Sequence, residues 1–133
     1  MIYTFGMRSY EKLAGVDPGL RQIAEDAIVA SPVDFTIVWG RRGEEIQNAL
    51  FESGASRKRY PESKHNDNPA RALDFAPWVQ QRIEWEDTHI FALIAGVFFA
   101  VARPGALRWG GDWDGDGTTS DQTLMDWGHI ELL

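Results

Sequence analysis

Asp74 is a carboxylate in the middle of an apolar segment, residues 72–76 (ALDFA). In a β-strand, alternation of side chains places Asp74 on the face opposite to its two apolar neighbours. A buried carboxylate is costly unless a positive partner meets it. His65 lies in the polar segment that leads into this strand, and His129 lies at the start of the apolar segment that ends the chain. These two histidines are therefore candidates for holding the partner of Asp74.

Two imidazoles and one carboxylate with an open fourth position are a ligand set typical of catalytic zinc sites. If the strands that carry Asp74 and His129 are neighbours, these side chains and His65 can converge on one ion. Glu131 shares a face with His129, because it follows two residues later in the same strand. The spacing leaves alternatives open, since a lone histidine is usually a hydrogen-bonded structural residue. Asp74 can also pair with Arg71 or with a backbone amide.

The chain contains no cysteine and three histidines. No disulfide can form, and any transition-metal site must be built from histidine and carboxylate side chains. The third histidine, His89, lies at the start of a long apolar segment, where we expect it to be structural.

Length and composition indicate one globular domain over residues 1–133, with 44% hydrophobic and 12% aromatic residues. The net charge of −7 argues against a nucleic acid as the main partner. The longest apolar segment, residues 90–102, is too short to cross a bilayer, so we expect a buried helix and no stable membrane insertion. The first residues, MIYTFGMRSYEK, lack the basic start and apolar core of a secretory signal peptide.

Four basic residues fall close together in this acidic chain: Arg57, Lys58, Arg59 and Lys64. Such a patch suits a small anionic ligand better than a long polyanion, and a solvated loop is the alternative. The patch lies in a polar segment, residues 53–68, whose length is typical of a functional or a disordered loop.

Periodicity and capping signals predict an α+β domain with a small, mainly antiparallel sheet packed with helices. Helices are predicted at residues 9–16, 17–30, 43–51 and 85–103, the second opened by an Asp-Pro cap. Strands are predicted at residues 34–39, 72–76, 107–110 and 128–133. In the third helix we expect Ile46, Ala49 and Leu50 to face the core.

The segments SKHNDNPARALDFAP (residues 63–77) and DWGHIEL (residues 126–132) resemble zinc peptidases of the D-Ala-D-Ala carboxypeptidase and hedgehog-like family. Within that family the chain most resembles the L-alanyl-D-glutamate endopeptidases that tailed phages use as endolysins. The similarity extends to SPVDFTIVWGRR and to WGGDWDGDG, in the same order along the chain. The family pattern S-x-H followed by A-x-D is matched by Ser63, His65, Ala72 and Asp74, although the turn between the two halves is longer here and lacks glycine.

The resemblance implies that His65, Asp74 and His129 bind zinc (Zn2+) and that Asp126 is the catalytic acid/base. Zinc lowers the pKa of a bound water from ~15.7 toward ~7. A nearby carboxylate can take the proton of that water and hand it to the departing amine. The chemistry of this family therefore suits the spacing of Asp126 and His129.

The resemblance also implies a cation near the oxyanion that forms during hydrolysis. Arg42 is the best match for this cation, with its neighbour Arg41 as the alternative. We expect Glu131 to orient His129 or a nearby donor rather than to bind the metal. Ser63 is expected to position substrate or brace the loop, and Lys64 to bind substrate or support the residues that do.

A second metal-binding pattern occupies the DWDGDG segment. Its acidic residues match the first positions of an EF-hand calcium loop, including the glycine at the turn, but the bidentate glutamate at the end of such loops is missing. The pattern predicts calcium (Ca2+) bound by Asp112, Asp114, Asp116, Thr118 and Asp121, with an Asp-Gly turn free of metal as the alternative. Ordering this loop would help to position Asp126.

The function expected from these observations is a zinc metallopeptidase that hydrolyses the L-alanyl-D-glutamate bond in peptidoglycan stem peptides. Two alternatives are a D-Ala-D-Ala carboxypeptidase or dipeptidase of the same fold, and a non-catalytic, metal-stabilised binding domain. We expect a monomer, made in the host cytoplasm without a signal peptide, which reaches the cell wall or periplasm at lysis.

Overall fold

The computed structural model describes all 133 residues. The helices are α1 (Met7–Leu13), α2 (Pro18–Ala30), α3 (Glu44–Glu52) and α4 (Thr88–Val101), with a 3-10 turn at Lys64–Asn66. The strands are β1 (Phe35–Trp39), β2 (Ala72–Val79), β3 (Arg82–Ile83), β4 (Leu107–Trp109) and β5 (His129–Leu132).

The five strands form one sheet in the order β1-β2-β5-β4, with β3 paired to the end of β2. All strand pairs are antiparallel. The predicted α+β architecture is therefore confirmed, and β2 and β5 are neighbours. Asp74 lies opposite His129 on one side and Trp39 on the other.

The helix starts follow from local chemistry. Asp17 caps α2 by accepting hydrogen bonds from the backbone amides of Gly19 and Leu20, and Pro18 occupies the first turn. Asp87 caps α4 in the same way through the amides of His89 and Ile90. These caps fix the two longest helices, which pack against each other over the sheet.

One face of the sheet is covered by the hydrophobic core. Phe75 of β2 stacks on Phe98 of α4 with ring centroids 5.4 Å apart, and Leu73 is fully buried beside it. Because successive side chains of a strand alternate between faces, Asp74 is directed away from this core. The opposite face of β2 is thus left for polar chemistry.

Two predictions differ from the structure: the inward face of α3, and the complete burial of α4. In α3, Ile46 and Ala49 are exposed and Leu50 is only half-buried, whereas Gln47 is fully buried. The buried side of α3 packs against the polar loop that follows this helix. A hydrogen-bonding side chain, Gln47, is therefore buried there instead of an apolar one. In α4, Leu93 and Phe99 are exposed, because the helix packs with one side only. No helix of the protein combines the length and apolar character needed to traverse a bilayer.

Candidate metal centre

Three potential metal ligands converge on the polar face of the sheet. Asp74 comes from β2, His129 from β5, and His65 from the 3-10 turn ahead of β2, and their ligand atoms all lie within 4.8 Å of one another. Asp74 Oδ1 lies 3.3 Å from His65 Nε2 and 3.1 Å from His129 Nδ1. The structure therefore brings together the three residues that the sequence singled out.

The ring of His65 is oriented by the backbone. Its Nδ1 donates a hydrogen bond to the carbonyl oxygen of Gly40 at 2.8 Å, which leaves the buried Nε2 without a hydrogen-bond partner and able to offer a lone pair. A Cβ atom at Gly40 would lie 2.1 Å from the carbonyl oxygen of Lys12, so only glycine fits there. Because the acceptor is a backbone carbonyl group, no residue type in the sequence indicates it, and it was not predicted.

The ring of His129 is oriented by a carboxylate. Its Nε2 donates to Glu131 Oε1 at 2.9 Å, and Nδ1 faces Asp74. Glu131 is itself held by Lys64, whose Nζ lies 2.9 Å from Oε2. Lys64 also donates to the carbonyl oxygen of Leu132. Lys64 therefore braces Glu131, a pairing that was not predicted.

The electrostatics of this centre favour a positive charge between its carboxylates. Burial lowers the pKa of His129, but the hydrogen bonds to Asp74 and Glu131 outweigh burial and raise it to about 9. Burial likewise raises the pKa of Glu131, yet the hydrogen bonds from His129 and Lys64 bring it down to about 2. The pKa of Asp74 is held below its usual range because the two imidazoles outweigh its desolvation. Such a donor set attracts a proton or a metal cation.

Asp126 lies beside the three converging residues on the loop that leads into β5. Its Oδ2 is 3.8 Å from His129 Nδ1, and its side chain is half-exposed to the cleft. The backbone of Asp126 is fixed by hydrogen bonds to Gly110 and His129. Burial and the charge of Asp74 raise the pKa of its carboxyl group, which is the direction that suits a proton-transfer group.

Arg42, rather than Arg41, lies at this centre. Its Nη2 donates to Asp74 Oδ2 at 2.9 Å, and its guanidinium lies 4.8 Å from the centre of the Trp39 ring. Arg41 is exposed, packs beside Gly15, and does not line the cleft. The partner of Asp74 within the chain is therefore Arg42 and not Arg71, which contacts the carbonyl oxygen of Leu133.

The remaining predicted residues take different places. Ser63 is buried, and its hydroxyl accepts a hydrogen bond from the backbone amide of His65, so it braces the turn. His89 is fully exposed at the start of α4 and lies 3.8 Å from Asp87, outside the cleft.

The converging residues open onto a cleft of about 590 Å³, a size in the range of ligand sites. Trp113 forms part of its wall, with its ring centroid 5.3 Å from that of His129. Its indole nitrogen donates to the carbonyl oxygen of Leu124 at 2.7 Å, which fixes the ring. Trp113 was not among the predicted site residues. Its position between two aspartates of the DWDGDG loop, which was itself predicted to bind a metal, could have indicated it.

The acidic loop places the ligand atoms of Asp112, Asp114 and Asp116 within 4.8 Å of one another. Asp116 also accepts a hydrogen bond from the backbone amide of Thr118, as in an ordinary Asp turn. The carboxylate of Asp121 accepts from Gln122. Calcium at this loop stays a prediction, because these contacts are equally those of a turn without metal.

Comparison with known proteins gives a consistent result. A sequence model described as phage L-alanyl-D-glutamate peptidase matches residues 1–133. The chain is 35% identical to the L-alanyl-D-glutamate peptidase of Escherichia phage T5 over 138 residues, which covers 100% of both proteins. Its fold is similar to the crystal structure of the Serratia marcescens L-Ala D-Glu endopeptidase ChiX, with a TM-score of 0.81 and 29% identity over 99% of this chain and 91% of the other.

Proposed function

Because this chain belongs to the phage L-alanyl-D-glutamate peptidase family, we propose that it is a zinc-dependent hydrolase of the L-alanyl-D-glutamate bond in peptidoglycan stem peptides. The observation that supports the proposal most strongly is the convergence of His65, Asp74 and His129, which all line one cleft. Family membership supports the scissile bond, and the donor set supports the metal.

Two of the three separations between the potential ligands are compatible with a zinc ion held by these residues. Zinc bonds to nitrogen and oxygen are about 2.0–2.1 Å long, so two ligands of a tetrahedral zinc lie about 3.3 Å apart. The separations of 3.3 Å and 3.1 Å between Asp74 Oδ1 and the two imidazole nitrogens agree with that value. Hydrogen bonds on the far sides of both rings leave one lone pair of each imidazole for the ion. A bound zinc ion supplies a Lewis acid and lowers the pKa of a coordinated water.

Asp126 is the group that moves protons. Its carboxylate takes a proton from the attacking water and passes it to the nitrogen of the departing D-glutamate. The half-exposed carboxylate lies 3.8 Å from His129 Nδ1, and its backbone is held by hydrogen bonds to Gly110 and His129. The raised pKa makes the Asp126 carboxylate a stronger base toward the attacking water than an ordinary aspartate is.

Arg42 has two tasks in this scheme. Its ion pair with Asp74 Oδ2 holds that carboxylate so that Oδ1 faces the imidazoles. Its guanidinium also brings positive charge to the cleft, where the carbonyl oxygen of the scissile bond becomes negative. The stacking of the guanidinium on Trp39 keeps it in place for both tasks.

The two alternatives are less well supported. A D-Ala-D-Ala carboxypeptidase or dipeptidase would be a different specificity from the one that the matching family and both relatives carry in their names. A non-catalytic binding domain would have no need for a carboxylate such as Asp126 beside the ligand set. We place the activity at the cell wall during phage lysis, with peptidoglycan as the partner.

Mass spectrometry of digested peptidoglycan tests the proposed bond directly. Purified enzyme should release stem peptides that begin with D-glutamate and leave L-alanine on the glycan. Asp126→Asn, purified in parallel, should release neither product while retaining zinc. Loss of terminal D-alanine alone would assign the carboxypeptidase specificity instead.

A further inference from the structure

Three consecutive basic residues after α3 lie in different surroundings. Arg59 stacks on Phe51, 4.3 Å from the ring centre, and its guanidinium lies 3.9 Å from Glu52. Arg57 and Lys58 instead line the cleft that contains the metal centre, and neither is within ion-pair distance of an acidic group anywhere in the chain. The positive charges of Arg57 and Lys58 are therefore free.

The other charges of the cleft are mostly paired within the protein. Arg42 pairs with Asp74 at 2.9 Å, and Lys64 pairs with Glu131 at the same distance. Seven charged residues line the cleft: Arg42, Arg57, Lys58, Lys64, Asp74, Asp126 and Glu131. Arg57 and Lys58 are therefore the two cations of the cleft that have no acidic partner within the protein, whose net charge is −7.

A buried amide fixes these two residues relative to the metal centre. Gln47 is fully buried in α3, and its Nε2 donates to the carbonyl oxygen of Lys58 at 2.7 Å and to Ser56 Oγ at 3.0 Å. Its Oε1 accepts from Asn66 Nδ2 at 3.2 Å, next to the ligand His65. Because a buried amide is costly unless it is fully bonded, this network holds the loop in one position.

Apolar and aromatic side chains also line the cleft: Trp85, Phe91, Leu124, Met125 and Trp127. The cleft therefore offers both cationic and apolar contacts to a ligand. An L-alanyl-D-glutamate unit carries both kinds of group, with a methyl group before the scissile bond and a carboxylate after it.

We propose that Arg57 and Lys58 form a carboxylate-binding subsite for the D-glutamyl residue on the amine side of the scissile bond, and so set the direction in which the peptide lies in the cleft. This inference rests on the proposed function and adds the residues that select the substrate. Arg57 offers a planar fork for a carboxylate, and Lys58 adds a second donor from the neighbouring position. The alanyl methyl group then contacts apolar side chains of the cleft.

Steady-state kinetics on two synthetic peptides test the subsite. Both contain the L-alanyl-D-glutamyl bond, one with the glutamyl carboxylate free and one with it converted to a primary amide. The double variant R57Q/K58Q should raise KM for the free carboxylate at least tenfold, as expected for lost charge-assisted hydrogen bonds, with kcat little changed. For the amidated peptide, KM should be high and the same in wild type and variant.

R59Q is the matched control, because Arg59 is adjacent in sequence but is occupied by Glu52 and Phe51. It should leave KM for both peptides unchanged. Equal KM values of wild type and R57Q/K58Q on the free carboxylate would overturn the subsite while leaving the peptidase proposal intact. Failure of wild-type, zinc-loaded enzyme to cleave either peptide would overturn the proposed function and the subsite with it. Zinc content and Tm of each variant, measured in parallel, should match wild type because both side chains are exposed.

Discussion

Asp74 on β2 and His129 on β5 are direct partners in the antiparallel register, and Asp74 Oδ1 lies 3.1 Å from His129 Nδ1. Strand pairing thus joins two ligands that are far apart in the chain. A slip of one residue in this register would turn His129 to the core face of the sheet. The candidate metal site and the sheet are therefore built by the same contacts.

Removal of either histidine of the centre should abolish zinc binding. H65A and H129A each leave two ligands, too few for a stable site, so zinc content should fall from about one ion per chain to near background. Metal analysis after dialysis gives the measurement. H89A is the matched control, because His89 is fully exposed and lies outside the cleft. Stoichiometric zinc in H65A or H129A would contradict the proposed ligand set.

Replacement of Asp126 by asparagine should separate metal binding from catalysis. D126N keeps the shape of the side chain but cannot accept a proton, so kcat should fall by about 10²–10⁴-fold. Zinc content should stay at the wild-type level, because the Asp126 carboxylate is not one of the three converging ligands. Retention of full activity by D126N would show that another group transfers the proton.

Glu131 should influence the metal affinity without touching the metal. In E131Q the charge that holds the Nε2 proton of His129 is lost, and zinc affinity should fall about 10–100-fold. Competition with a chromophoric chelator measures this loss. The exposed Glu86 supplies the control, because E86Q should leave affinity unchanged. An E131Q variant with wild-type affinity would show that Glu131 serves only the fold.

The proton of His129 should be detectable in protein stripped of metal. With a pKa of about 9, His129 stays charged at neutral pH, whereas an unfolded histidine titrates near 6.5. The raised pKa contributes stability that is complete below pH ~6.5 and is lost as the pH rises through about 9. An NMR titration of the imidazole carbons measures the midpoint. A midpoint at or below 6.5 would contradict the hydrogen bonds to Asp74 and Glu131.

The same proton gives zinc binding a pH dependence. A metal must displace it from His129 Nδ1, so zinc binding at pH 7 should release a proton and tighten as the pH is raised toward 9. Calorimetry in buffers of different ionisation enthalpy counts the released proton. H89A should release the same number, because His89 takes no part in the centre.

The sheet and the ligand set could be predicted because their signals are local. Alternation around Asp74 indicated its face, and the family motifs fixed His65 and His129. The burial of Gln47 could not be predicted, since helical periodicity assumes that apolar side chains face the protein interior. The pairing of Lys64 with Glu131 depends on the arrival of β5 beside the turn, and this partner is distant in sequence.

The acidic loop yields the last prediction, on calcium. Without the bidentate glutamate, the affinity of Asp112, Asp114 and Asp116 for calcium should be in the range ~10⁻⁴–10⁻³ M. At a calcium concentration about ten times Kd, the gain is about 1.4 kcal/mol, or roughly 3–6 °C in Tm. Differential scanning calorimetry of the zinc-loaded protein measures the shift, and D114N/D116N should lose it. Because Trp113 of this loop packs on His129, calcium should also raise the hydrolysis rate. Identical Tm and rate with and without calcium would identify the loop as an ordinary Asp-Gly turn.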